Sequence, residues 1–292
     1  MKFKPIELED KDLMNKYLKT GRVESSELTF AALFIWRKAF NMEFAEIENC
    51  LVIKSKDNGY PASLRFPMGN GDKKVAVEKS CKYFLEIGEV PKFYGLTKDM
   101  VDELIRICPD KFRCEPMRDY FDYVYKSENL IKLSGKKLHS KKNHFNNFQK
   151  SYEFEYSPIT MGDADMIIKE YNDWSDFDDE YLLSEQKSIE ELLLNFDYLE
   201  LKGAKIMCKG QLCAFTIGEQ LNSDTAVIHI EKANTKFRGA FAAINQMFIA
   251  NEWSDYAYIN REEDCGIEGL RTAKLSYQPE FMVEKYKAVY YG

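Results

Sequence analysis

The chain has 292 residues, 45% hydrophobic, 14% aromatic and 30% charged, which excludes fibrous, collagenous and wholly disordered proteins. Its length favours two domains, and 15 Gly with 8 Pro leave little material for long linkers between them. With 41 Lys and Arg against 48 Asp and Glu, the net charge of −7 excludes a protein that coats nucleic acid with its whole surface.

In chain order, helical spacing is present at 10–18 and again at 27–39, where Leu28, Ala31, Ala32, Ile35 and Trp36 recur. Strands are predicted at 51–54 and 62–66, with Asp57-Asn58-Gly59 as the turn between them. A helix at 73–87, a short strand at 92–94 and a helix capped by Thr97 and running to Ile107 follow. Strands at 112–115 and 122–125 complete a mixed α/β first half.

Between Asn129 and Tyr152 there is no acid, whereas Lys132, Lys136, Lys137, Lys141, Lys142 and Lys150 supply positive charge beside His139 and His144. Residues 133–148 project as one amphipathic helix, with His139, Asn143, Asn146 and Lys150 on one side and Leu138, Phe145 and Phe148 on the other. The expected organisation is a domain over 1–130, a basic linking helix over 131–150 and a second domain over 151–292.

The second half alternates in cleaner form. Helices are predicted at 163–171 and 189–195, a hairpin at 204–209 and 212–219 turning through Gly210, a strand at 225–232 and a helix at 239–250. A strand at 256–259, a helix at 267–274 and a last strand at 281–290 follow. This order resembles the GCN5-related N-acyltransferase-like (acyl-CoA N-acyltransferase-like) fold. The resemblance implies an α/β (α+β) chain of two tandem domains, with mixed central sheets flanked by helices.

No apolar run approaches the roughly 18 residues of a membrane helix, and the N-terminus carries acids too early for a secretory signal. Seven cysteines without a CxxC pair are expected to be reduced core thiols, consistent with a cytoplasmic protein. Three histidines without HxxxH spacing predict no metal site.

Several stretches carry possible chemistry. In Thr225–Lys232, strict alternation would place Val227, His229 and Glu231 on one face, where a His and a Glu could form a proton-transfer pair. The following loop offers Lys236, Arg238 and Gly239 at a helix N-terminus, a place suited to a phosphate. Phe241 there replaces the small residue of the coenzyme A loop of acetyl-CoA-using relatives of the fold. The stretch from Asn260 to Lys274 holds Asn260, Arg261, Glu262 and Asp264 in a polar loop, then Arg271 and Lys274 on one helix face. The acidic run Asp173, Asp176, Asp178, Asp179 and Glu180 reads as a solvated loop that could also select a cationic substrate.

Asp122-Tyr123-Val124-Tyr125, the stretch from Leu133 to Phe148, His229-Ile230-Glu231, Ile244-Asn245, Asn260-Arg261-Glu262-Glu263-Asp264 and Gly269-Leu270-Arg271 through Pro279 together resemble one family, named for the C-terminal domain of phosphatidylglycerol lysyltransferase. The likeness runs from about Leu28 to Tyr286. It implies a stand-alone relative of the Fem-type transferases that takes aminoacyl-tRNA as donor co-substrate and uses no other cofactor. Within the family's closing pattern, Leu270, Arg271, Lys274, Tyr277 and Pro279 match, while Ala273 and Ser276 replace a Phe and a second Lys.

The expectation is an aminoacyltransferase moving an amino acid from tRNA to an unidentified amine or hydroxyl acceptor, a lipid head group among the candidates. The ester bond is already activated, so the protein mainly positions reactants and stabilises an oxyanion. The expected catalytic residues are Lys274 and Arg271, for the oxyanion or terminal phosphate, and Glu231 and His229, for proton transfer. Substrate contacts are expected from Asn260, Arg261, Glu262, Asp264, Asn245, His139, Asn143 and Asn146. Lys137, Lys141, Lys142 and Lys150 would meet tRNA phosphates. An acyl-CoA-dependent N-acyltransferase, with coenzyme A as the donor's carrier, is the alternative; a non-catalytic binding module on the same fold is a third reading. Peripheral contact with a membrane fits either transferase.

Overall fold

The computed structural model describes residues 1–56, 61–175 and 180–292, so the turn at Asp57-Asn58-Gly59 and the acids Asp176, Asp178 and Asp179 lie outside the described residues. The chain forms two compact units, Met1–Asp122 with Val283–Gly292, and Tyr123–Met282. The division differs from the expected one at 130. The basic segment belongs to the second unit, and the end of the chain returns to the first.

The first unit runs β1 (Lys4–Pro5), α1 (Lys11–Leu18), α2 (Phe30–Trp36), β2 (Glu43–Ile47), β3 (Cys50–Ser55), β4 (Ser63–Leu64), α3 (Lys73–Glu86), β5 (Lys92–Leu96), α4 (Lys98–Ile107) and β6 (Phe112–Pro116). The helix expected at 27–39 starts late because Thr29 is extended and its side chain caps the Ala32 amide, which leaves Ser26–Leu28 as a 3-10 turn. Asp72 caps α3 in the same way, through the Val75 amide.

The second unit contains β7 (Asp122–Lys126), α5 (Ser127–Lys132), α6 (His139–Ser151), β8 (Phe154–Pro158), α7 (Ala164–Trp174), α8 (Glu180–Leu194), β9 (Lys202–Cys208), β10 (Gln211–Gln220), β11 (Thr225–Ala233), α9 (Ala240–Glu252), β12 (Tyr258–Asn260), α10 (Glu268–Leu275) and β13 (Phe281–Val283). The helix expected over 133–148 is interrupted at its start. Leu133 closes α5 in a left-handed conformation, φ 46°, and Gly135 follows at φ 86°, so the regular helix begins at His139. The single last strand expected at 281–290 is two, because β14 (Tyr286–Tyr290) leaves the second unit's sheet and joins the first unit's.

The sheet orders are β1-β2-β3-β4-β5-β14-β6 and β13-β7-β12-β11-β10-β9-β8. In the first sheet β4 and β5 pair in parallel, with α3 as the crossover; in the second β11 and β12 do so, with α9 as the crossover. The place beside β5 taken by β14 corresponds to the place beside β12 taken by β7. One core gathers Val52, Leu64, Phe84, Phe93 and Leu104. The other gathers Tyr123, Tyr125, Phe148, Ile206, Ile244 and Phe248 between the sheet and helices α6 and α9.

A bulge in β11 overturns the expected face of His229. Ile230 pairs with Ile217 and Ile228 with Gly218, so His229 is an extra residue that breaks the period-2 alternation. Ala214, Thr216 and Gly218 alternate onto one face of β10, and their partners Ala233, Glu231 and Ile228 share that face. His229 instead lies with Glu219 on the opposite side. Gly218 permits this close approach, since a Cβ there would stand 2.3 Å from the Val227 carbonyl oxygen.

The expectation of reduced thiols is corrected for one pair. The β9–β10 register skips Cys213 at a second bulge, and Cys213 forms a disulfide with Cys208, with the Cα atoms 6.0 Å apart. Cys50, Cys81, Cys108, Cys114 and Cys265 are outside any disulfide. Among the described residues, no helix is long and apolar enough to cross a membrane.

Candidate active site

The parallel pairing of β11 with β12 spans Thr225–Val227 against Tyr258–Asn260 and then stops, while β11 continues to Ala233. The loop 261–266 therefore leaves β12 beside a length of β11 that β12 no longer pairs, its other edge still held by β10. Successive residues of this loop reach two ionic groups on the two faces of the sheet.

On the α9 side, Arg261 Nη2 donates to Glu231 Oε1 at 2.7 Å, and Asn245 Nδ2 donates to Glu231 Oε2 at 2.7 Å. The Arg261 guanidinium also lies 4.7 Å from the ring centre of Tyr277 and 5.6 Å from that of Tyr125. Among the described residues, Arg261 Nη1 and Asn245 Oδ1 are buried here without a hydrogen-bond partner. Burial pushes the Tyr277 phenol up to about 12, against the opposing influence of Arg261, so it is a neutral ring at physiological pH.

On the other face, the His229 side chain is 1% exposed; Nε2 lies 2.9 Å from Glu219 Oε1 and Nδ1 lies 2.8 Å from Glu262 Oε1. Burial by itself disfavours the charged imidazole, but hydrogen bonds to both carboxylates outweigh it and raise its pKa to about 10. At neutral pH both ring nitrogens donate, and an imidazolium has no lone pair with which to accept a proton. His229 is an ionic bridge from the bulge to the loop, and the expected proton-transfer pair with Glu231 is not formed.

Lys274 and Arg271, expected to be catalytic, hold the loop. The Lys274 ammonium donates to the carbonyls of Arg261 and Glu262. Arg271 makes a two-point contact with Asp264, Nε to Oδ2 at 2.9 Å and Nη2 to Oδ1 at 2.7 Å. Burial disfavours the Asp264 carboxylate, yet Arg271, the Tyr123 hydroxyl and the Gly266 amide hold its pKa far below the usual carboxylate range. Asn260 Oδ1 accepts the Glu262 amide and so shapes the turn. These contacts support left-handed backbone at Glu262, φ 58°, and Cys265, φ 50°. The period of β7 puts Tyr123 and Tyr125 on one face, from which their hydroxyls reach Asp264 and the Lys274 carbonyl.

The basic segment divides. Lys137, Lys142 and Lys150 are exposed, as are His139 and Asn143; Asn146 is half-buried. Among the described residues, no hydrogen bond or ion pair joins His139, Asn143 or Asn146 to the Arg261 group. Lys141 differs from the other lysines. It follows the Phe145 and Phe148 side of α6, and its ammonium lies 4.3 Å from the Tyr277 ring centre.

The expected phosphate loop is built differently. Gly239 is left-handed, φ 93°, and a Cβ there would stand 2.5 Å from the His144 carbonyl oxygen, so this glycine lets α9 approach α6. The Arg238 amide donates to the Tyr152 hydroxyl and the Lys236 amide to Asn234 Oδ1. Phe241 is exposed. Two surface cavities, of about 530 Å³ and 380 Å³, are lined by first-unit residues only.

Sequence reasoning missed Glu219, whose signal was the strand glycine beside it, and the part played by Tyr123 and Tyr125. Two mixed sheets, each with a helix-crossed parallel pair, define a tandem N-acyltransferase-like protein. A family profile described as phosphatidylglycerol lysyltransferase, C-terminal, matches residues 20–289, and the chain belongs to this family. A conserved protein of unknown function from Bacteroides thetaiotaomicron VPI-5482 is 35% identical, with a TM-score of 0.92 and 99% of each chain covered. The C-terminal domain of a putative lysylphosphatidylglycerol synthetase from Agrobacterium fabrum is 15% identical, with a TM-score of 0.66, covering 98% of this chain and 92% of the other. FemX is 7% identical, with a TM-score of 0.60, covering 99% and 97%. These last two share the fold.

Proposed function

We propose that the protein is an aminoacyltransferase that accepts an amino acid from aminoacyl-tRNA and passes it to an amine or hydroxyl acceptor. The observation that carries this reading is the Arg261–Glu231–Asn245 group at the point where β11 and β12 part, in a chain of the phosphatidylglycerol lysyltransferase C-terminal family.

In the proposed reaction the acceptor's nitrogen or oxygen attacks the ester carbonyl, and a tetrahedral oxyanion forms. Collapse breaks the bond to the ribose oxygen, which leaves with a proton, so free tRNA and aminoacylated acceptor are the products. Arg261 is the candidate for the oxyanion, because Nη1 is a buried donor with its other end already fixed by Glu231. Glu231 and Asn245 orient that guanidinium, and Lys274, Arg271 and Asp264 hold the loop that carries it. The exposed Lys137, Lys142 and Lys150 are the candidates for tRNA phosphates. Nothing about the 234–241 loop favours coenzyme A, since Phe241 stands exposed where a small residue would admit a pyrophosphate.

The test is incubation of the protein with a total pool of charged tRNA carrying radiolabelled amino acids. Loss of one amino acid from tRNA, with label appearing in a new amide or ester, is expected. A pool that decays at the protein-free rate overturns the reading.

A further inference from the structure

The Arg261 group carries a charge imbalance that the oxyanion role of Arg261 does not use up, because Nη1 bears two N–H groups and Lys141 takes no part in that scheme. Arg261 is matched by Glu231, but Lys141 has no carboxylate, hydroxyl or carbonyl partner among the described residues, although it is drawn in beside an aromatic ring. Its pKa is lowered, first by burial and then by the charge of Arg261, against the opposing pull of Glu231, which places both cations within electrostatic reach of that one carboxylate. Both stack on Tyr277. A lysine on an exposed helix face would keep its head in water; this one is half-buried, makes no ion pair of its own among the described residues and shares the field of the single carboxylate Glu231 with Arg261. Arg261 Nη1 adds an unfilled donor, and Asn245 Oδ1, 1% exposed as a residue, adds an unfilled acceptor.

We infer that Lys141, Arg261 and Asn245 form a binding site for a phosphate ester, with Lys141 and Arg261 Nη1 as donors to its oxygens and Asn245 Oδ1 accepting from a hydroxyl of the phosphate or its ester. The ligand supplies the missing negative charge and also one hydrogen-bond donor. A carboxylate or a sulfate supplies the charge alone. The assignment of this phosphate to the donor's nucleotide end rests on the proposed aminoacyl transfer, whereas the binding itself does not.

The experiment is isothermal titration of the full chain with inorganic phosphate, adenosine 5′-monophosphate, sn-glycerol 3-phosphate and sulfate, in wild type and in Lys141→Met and Lys141→Arg. Saturable one-to-one binding of a phosphate compound is expected. Lys141→Met should weaken it about tenfold, and Lys141→Arg should retain most of it. Preference for the adenosine compound assigns a nucleotide source, and preference for glycerol phosphate a lipid head group. Thermal unfolding of each variant checks that the fold is kept, and Lys141→Arg serves as the folded control.

Equal binding of sulfate, unchanged affinity in Lys141→Met, or silence with every phosphate compound overturns the site. So does a high-resolution structure in which ordered water alone fills Arg261 Nη1 and Asn245 Oδ1 in the presence of saturating phosphate. Phosphate binding without turnover on charged tRNA leaves the site standing and removes the transferase reading; turnover without phosphate binding does the reverse.

Discussion

Each unit sets a half-buried carboxylate against an arginine and a lysine lies nearby in both, but the two groups are closed to different degrees. In the first unit Glu27 meets Arg65 at 2.6 Å and Lys285 at 3.3 Å, and Lys285 meets Asp122 at 2.7 Å. Asp122 also accepts the amide and hydroxyl of Ser26. Two cations face two carboxylates, and Lys285 is 1% exposed. In the second unit Lys141 and Arg261 face Glu231 alone. An unpaired guanidinium nitrogen occurs in both groups, Arg65 Nε and Arg261 Nη1, so it does not separate them. Charge balance does. A balanced buried cluster is what a fold uses to fix a chain segment, and an unbalanced one has a place for a charged ligand.

The same substitution in the two groups should therefore give opposite results. Lys285→Met leaves Asp122 and Glu27 short of their counter-charge and should cost about 3–5 kcal/mol in denaturant unfolding; a loss near zero would erase the contrast. Acid should act on the same cluster. Burial disfavours the charged form of Glu27, but Arg65 and Lys285 override it and hold its pKa at about 2. Its folded pKa lies below the unfolded value, so its contribution is fully present above about pH 4.5 and is lost as pH falls toward 2. The Lys285→Met variant should show a flatter acid limb, measured as stability against pH.

His229 sharpens the comparison from the basic side. Its folded pKa of about 10 is above the unfolded value of 6.5, so its stabilisation is fully present below pH 6.5 and fades as pH rises toward 10. Nuclear magnetic resonance of the ring protons should show a protonated imidazole at pH 8, and a midpoint near 6.5 would contradict the bridge. Smaller still is Lys141→Met, which removes a charge that makes no ion pair of its own among the described residues. Unfolding stability should stay within about 0.5 kcal/mol or rise, and a loss like that of Lys285→Met would mean that Lys141 is an anchor. Lys136→Ala, in the same basic segment and exposed, should change stability by less than about 0.5 kcal/mol and leave phosphate binding intact in the titration above.

Much of the fold was legible. Helices α3, α4 and α9 follow from apolar spacing and capping residues, and the hairpin through Gly210 from its two apolar strands. Asn245 and Glu231 stand out in the sequence as polar interruptions of apolar elements and Arg261 as part of a polar loop, but nothing in the spacing brings the three together. The roles of the site residues were not legible either. Lys274 and Arg271 share a helix face as expected, but only the packed loop shows that this face is occupied by the Asp264 carboxylate and two loop carbonyls. Lys141 was grouped with its lysine neighbours, although its position opposite Asn143 and in line with Phe145 and Phe148 already placed it on the apolar side of α6.

The sequence by itself determined which segments become helices and strands and which family the chain resembles, because those depend on spacing over a few residues. Tertiary structure decided that β14 belongs to the first unit, that a bulge turns His229 away from Glu231, and that Lys141 comes to Arg261. Each of those outcomes depends on register and on partners far along the chain, and a shift of one residue in a strand reverses the face of everything beyond it.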